Sequence, residues 1–162
     1  MIRQRLGKDL LFFDGGMGTL LQEKGLAPGE LPETWNLTHS EEIYKIHRQY
    51  IEAGSDIILT NTFGANALKF HDDSCSLEEI IKAAVSHVKK AEREALLQTG
   101  DERKIYTALD VGPTGKLLKP MGDLEFETAY EAFKEVVILG EQAGADLIHI
   151  ETMSDTYEVK SS

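Results

Sequence analysis

The chain has 162 residues, of which 41% are apolar and 28% charged, a balance that fits one folded domain and excludes a disordered tail. Its formal net charge of −11 excludes a general binder of nucleic acid or anionic membrane, because such proteins neutralise phosphates with clustered lysine and arginine. Its apolar runs, near residues 10–13 and 57–59, fall far short of the roughly 18 residues needed to cross a bilayer.

At the N-terminus, MIRQRLGKDLLFF places basic residues before a short apolar run, but that run leads into Asp14 and not into a small-residue cleavage site, so no secretory signal is expected. LLFFDGG reads as the first strand. The DGGMGT that follows lacks both the GxGxxG spacing of a dinucleotide site and the Gly-Lys of a P-loop, so a phosphate cradle is a poor reading. Gly15 and Gly16 have no Cβ, which lets the chain turn and leaves their N–H groups open to a ligand. Such donors suit a carboxylate, and the neighbouring Asp14 suits a cation.

Trp35 and Asn36 precede the first long helix, where an aromatic anchor for the loop is a better account than a rim contact. Thr38 and Glu41 have the spacing of a capping box for a helix over 41–53. His47 on that helix reads as a packing or surface residue. Gly54 ends the helix, a second strand follows, and Thr60, Asn61 and Thr62 close it. HDDSC, with His71, Asp72, Asp73 and Cys75, reads as a surface loop with incidental donors, since a zinc thiolate site needs several sulfurs at defined spacing. The pattern predicts a helix over 77–98, whose basic group HVKKAER forms a solvated face.

IYTALDVGP makes a third strand carrying Asp110. GPTGKLL then turns tightly, with Lys116 offered to an anion such as a folate tail or serving only the loop. A helix over 125–143 ends at Gly144, and a fourth strand with His149 inside it closes on Glu151 and Thr152. A fourth helix begins at 155–160. EAGSDIILTNT aligns without gaps on QAGADLIHIET, which marks two equivalent helix-to-strand units.

Strands that alternate with helices pair in parallel through right-handed crossovers, so their C-terminal ends share one rim. That rim collects Asp14, Thr60, Asn61, Thr62, Asp110, Glu151 and Thr152. Ligands bind at this rim in barrels and open sheets alike. Backbone donors at Gly15 and Gly16 beside acceptors at Asp14 and Glu151 match the head of a free amino acid.

DGGMGTLLQ, PETWNLTHSEEIYKIHRQYIEAGSDIILTNTFGAN, DVGPTGKLL and IETMSDTYEVK together resemble the homocysteine-binding domain of cobalamin-dependent methionine synthases. They resemble, more distantly, the betaine- and methylmethionine-using homocysteine methyltransferases. The resemblance implies a (β/α)8 barrel of the TIM type, of which residues 1–162 supply about the first four β/α units as a single half-barrel domain. It places the amino acid site on Asp14, Gly15, Gly16, Thr60, Asn61, Thr62 and Glu151, with Glu151 on the amino group. It further implies a zinc ion held by cysteines beyond this chain, with methylcobalamin and methyltetrahydrofolate on other domains of the parent enzyme.

Zinc turns a thiol with a pKa near ~8.5 into a thiolate nucleophile, so the chain alone is expected to be inactive in methyl transfer. Open edges on the first and fourth strands imply self-association. A lone cysteine suits a reducing cytoplasm. The sequence also admits two other readings: a betaine- or S-methylmethionine-dependent methyltransferase, and a non-catalytic amino-acid-binding or assembly module.

Overall fold

The computed structural model describes residues 2–70, 75–100 and 103–162. In chain order they form α1 (Gly18–Glu23), α2 (Trp35–Thr38), α3 (Ser40–Glu52), β1 (Ile57–Leu59), α4 (Leu77–Thr99), β2 (Tyr106–Val111), α5 (Phe126–Ala143), β3 (Leu147–Ile150) and α6 (Thr156–Ser161). The sheet runs β1-β2-β3 with both pairings parallel. Successive strands are therefore neighbours joined by helices, the arrangement expected of consecutive β/α units. No described helix is long and apolar enough to cross a membrane.

Where the helices begin and end follows from local chemistry. Gly54 and Gly144 take left-handed backbones at φ 110 and 97, which ends α3 and α5 where the sequence indicates. The cap expected from Thr38 does not form. Its hydroxyl donates to the carbonyl of Thr34 at 3.1 Å, and α3 starts after His39 without a side-chain cap. The capping box lies instead on α4, where the Ser76 hydroxyl accepts the Glu79 N–H at 3.2 Å and the Glu79 carboxylate accepts the Ser76 N–H at 2.8 Å.

The first predicted strand shrinks to a single parallel bridge between Phe13 and Ile57. Asp14 explains why. Its carboxylate accepts the Leu59 N–H, at 3.2 and 3.1 Å, and so takes the donor that a longer ladder would use. The internal echo proves to be a structural device. Asp56 accepts the Phe12 N–H at 3.1 Å while its own N–H donates to the Phe12 carbonyl, and Asp146 repeats both contacts on Thr107. Each aspartate fastens the start of its strand to the strand before it.

One sheet face carries Ile58, Leu109 and Val111 against the helices, and α4 packs between α3 and α5. The other face, with Ile57, Tyr106 and Ala108, meets Ile2 and Leu11 from the N-terminal segment. Phe13 and His149 meet at 5.0 Å between ring centroids, across the span of the sheet.

Gly140 of α5 is buried where an added Cβ would lie 2.4 Å from Leu109 Cδ2, and Leu109 has no exposed surface. Gly140→Ala should therefore lower stability by about 1–3 kcal/mol despite alanine's better helix propensity. Urea unfolding measures this, and a gain in stability would contradict the packing described.

Candidate functional site

The C-terminal ends of the strands open into a cleft of about 680 Å³. Its walls include Asp14, Gly15, Gly16, Thr60, Asn61 and Glu151, so six of the seven positions expected from the sequence meet there. Thr62 is the exception, and it stands behind the wall.

Thr62 nonetheless shapes the site. Its hydroxyl donates to the Asp110 carbonyl at 2.7 Å, and the Asp110 N–H donates to the Thr60 oxygen at 3.1 Å. With the Thr62 proton committed, the 2.7 Å contact between the two hydroxyls must run from Thr60 to Thr62. The pair thus grips the backbone of Asp110 from both sides and fixes a third carboxylate in the cleft. Asn61 also works through its neighbours. Its side-chain amide donates to the Pro32 carbonyl at 2.8 Å and to Asn36 Oδ1 at 3.2 Å, while Asn36 donates back to the Asn61 carbonyl at 2.8 Å. The 32–36 segment is clamped over the cleft by these bonds.

Gly15 has an ordinary backbone, and its lack of a side chain serves close approach: a Cβ there would lie 2.8 Å from the Tyr50 hydroxyl. Tyr50 donates to the Gly16 carbonyl at 3.1 Å and steadies the turn. Among the described residues, the N–H groups of Gly15 and Gly16 donate to no backbone carbonyl. Thr152, next to Glu151, holds a left-handed backbone at φ 58, an unfavourable state for a β-branched residue of the kind that gathers at ligand sites.

Two further cleft residues, Glu33 and Lys69, carry no sequence signal of their own. Glu33 is 2% exposed, and its Oε1 accepts the Gly64 N–H at 2.5 Å while Oε2 has no partner. Asp110 Oδ1 is likewise buried and unpartnered. Burial pushes Asp14 up to about 7, with the Glu151 charge adding to the effect. Burial and then the charge of Glu151 raise Asp110 as well, and burial raises Glu33. A cleft of acids held toward their neutral forms is ready to ionise when a cation arrives.

Other expected residues lie elsewhere. Trp35 is buried with Leu21, Ile43 and Ile46, and its indole N–H donates to Glu30 Oε1 at 2.7 Å. His47 is fully buried with both ring nitrogens unpartnered, and burial depresses it to about 3. Lys116 is exposed and stands outside the cleft wall; the loop it belongs to is anchored by Glu158, which accepts the Thr114 N–H at 2.8 Å and its hydroxyl at 2.6 Å. His71, Asp72 and Asp73 lie outside the described residues, and Cys75 is half-buried at the edge of the core, away from the cleft. Among the described residues no three His, Cys, Asp or Glu side chains are grouped to hold a metal ion. The cleft's acids, without thiolate or imidazole, do not fit a zinc thiolate site.

The raised Asp14 has a stability consequence. Its folded value of about 7 exceeds the ordinary aspartate value of 3.8, so the stability it lends is complete below the lower value and is lost as pH rises through the upper one. Asp14→Asn keeps an acceptor for Leu59 but cannot ionise. The stability of this variant relative to wild type should grow from pH 5 to pH 8 in urea titrations, and a constant difference would contradict the shift.

A family model described as Homocysteine S-methyltransferase matches residues 11–162. The methionine synthase of Mycobacterium leprae (strain TN) is 30% identical over 165 residues, which cover 98% of this chain and 14% of that protein. Among solved structures, the oxidized form of the homocysteine methyltransferase MmuM from Escherichia coli aligns with a TM-score of 0.83 at 23% identity, over 99% of this chain and 59% of that one. Its metallated form gives 0.84 at 22% identity, over 99% and 60%. These likenesses establish an α/β fold with a parallel sheet similar to that of a homocysteine methyltransferase, while the chain spans only part of each relative. With the family match extending to all but its first ten residues, the chain belongs to the homocysteine S-methyltransferase family.

Proposed function

We propose that this chain binds the amino acid head of homocysteine and supplies the first four β/α units of an eight-unit barrel that methylates the homocysteine sulfur to give methionine. The observation that carries the reading is the cleft itself, where Asp14, Asp110 and Glu151 converge beside the uncommitted amides of Gly15 and Gly16. An ammonium group satisfies the acids, and the amides receive a carboxylate. Glu151 and Asp14 contact the ammonium, Thr60 and Thr62 hold Asp110 in place, and Asn61 secures the loop above.

The match to a methionine synthase over 98% of the chain supports methylcobalamin, recharged from methyltetrahydrofolate, as the methyl source. Those cofactors, and the zinc ion that activates sulfur in this reading, are assigned to other parts of the parent enzyme. The chain's own part is then to bind and orient the amino acid, and by itself it transfers no methyl group. The edges beyond Phe13 and β3 are assigned to the remaining barrel strands, or to a second copy of the chain when those strands are missing.

Calorimetry with L-homocysteine under reducing conditions tests the binding role. Wild type should bind, and Glu151→Gln should weaken binding by about tenfold or more through loss of a charged hydrogen bond. Equal affinities, or no heat with wild type at millimolar ligand, would contradict it.

A further inference from the structure

Among the described residues Lys69 is the one cation in the cleft wall, and nothing in the sequence assigns it a role. Its surroundings hold it in an unusual way. An added Cβ at Gly115, which has φ +79, would lie 2.8 Å from Lys69 Cε, so the lysine stem runs against a bare glycine of the GPTGKLL loop. Its Nζ stands 5.5 Å from the centroid of the Phe63 ring. Phe63 is in turn fixed by Gly112, whose N–H donates to the Phe63 carbonyl at 3.1 Å and whose own Cβ position the ring would overlap. The stem is thus confined by loops from two different β/α units.

Despite four carboxylates in the same wall, the Lys69 ammonium forms no ion pair within the described residues. Glu33, whose charge Lys69 does influence, turns one oxygen to Gly64 and leaves the other buried without a partner. Burial raises Glu33, which weakens its repulsion of an incoming anion.

We infer that Lys69 is the carboxylate anchor of the cleft, a positioned cation that takes the negative group of the bound ligand at the pole opposite in charge to Asp14, Asp110 and Glu151. The inference rests on the amino acid reading of the site and extends it. Amides at Gly15 and Gly16 are neutral donors, and a formal cation in the same wall adds the charge that balances a carboxylate entering beside them. Two sources supply that chemistry: the α-carboxylate of the amino acid, or an anionic group of the methyl donor.

Three ligands separate the possibilities in calorimetry on the 162-residue chain: L-methionine, L-methioninamide without the carboxylate, and N-acetyl-L-methionine without the ammonium. If the α-carboxylate is the partner, Lys69→Gln weakens methionine and N-acetylmethionine by about tenfold, leaves methioninamide unchanged, and Lys69→Arg restores most of the loss. The methioninamide result also serves as the control for intact folding. If the donor's anion is the partner, all three ligands bind Lys69→Gln as they bind wild type, while glutarate, a bare dicarboxylate, still shifts the Lys69 Cε resonance in lysine-labelled wild type. Equal weakening of all three ligands, or no glutarate shift together with unchanged affinities, would overturn the inference. Failure of the amino acid reading looks different: Glu151→Gln then leaves methionine affinity untouched, whatever Lys69→Gln does.

Discussion

Carboxylates withdrawn from water resist ionising, and neighbouring carboxylates resist it further. This constraint governs the cleft, because parallel strands with right-handed crossovers deliver Asp14, Asp110 and Glu151 to one rim whatever the electrostatic cost. For Asp14 alone, a rise from 3.8 to about 7 corresponds to a penalty on the order of 4 kcal/mol for the charged form. A fold carrying that penalty is stabilised by any cation that enters. The ammonium of an amino acid fits because it brings one charge and several donors to several acceptors.

The surrounding structure keeps the acids from relaxing away. Asp14 is fastened by the Leu59 N–H, and Asp110 by the two threonine hydroxyls. Below the rim, Asp56 and Asp146 fix the starts of their strands to the strands before them. Aspartates at the two ends of the strands thus do opposite work. Those at the base are spent on backbone donors and local cations, such as Lys89 on Asp146 at 2.6 Å, whereas those at the rim retain acceptors for a ligand.

Much of this was legible in the sequence because it depends on local patterns. Helical spacing and terminal glycines at 54 and 144 located α3, α5 and the strands after them, and the repeat of Ala-Gly-x-Asp marked equivalent units. Asp14, Thr60 and Glu151 stood out as polar residues ending apolar strands. What escaped depends on contacts distant in the chain. The first strand shortened because a side chain, Asp14, claimed a ladder donor, and Thr38 turned back to Thr34 when the cap position of α3 fell on His39, one residue later than the capping-box spacing implied. Lys116 was open to an anion or to its loop alone in the sequence because that loop follows a strand end on the rim. In three dimensions that loop contributes a bare glycine, and the cation in the cleft comes from Lys69. Glu33, too, becomes a cleft residue only through Gly64, thirty-one positions away.

The most direct test of the electrostatic reading is to count protons exchanged when L-methionine binds at pH 7, using calorimetry in buffers of different ionisation enthalpy. Methionine has no thiol, so a released proton cannot come from its sulfur. Net release is expected, because the entering ammonium drives Asp14 and Asp110 to ionise. Binding with no proton exchange, or with uptake, would contradict the idea that a ligand cation completes this acidic cleft.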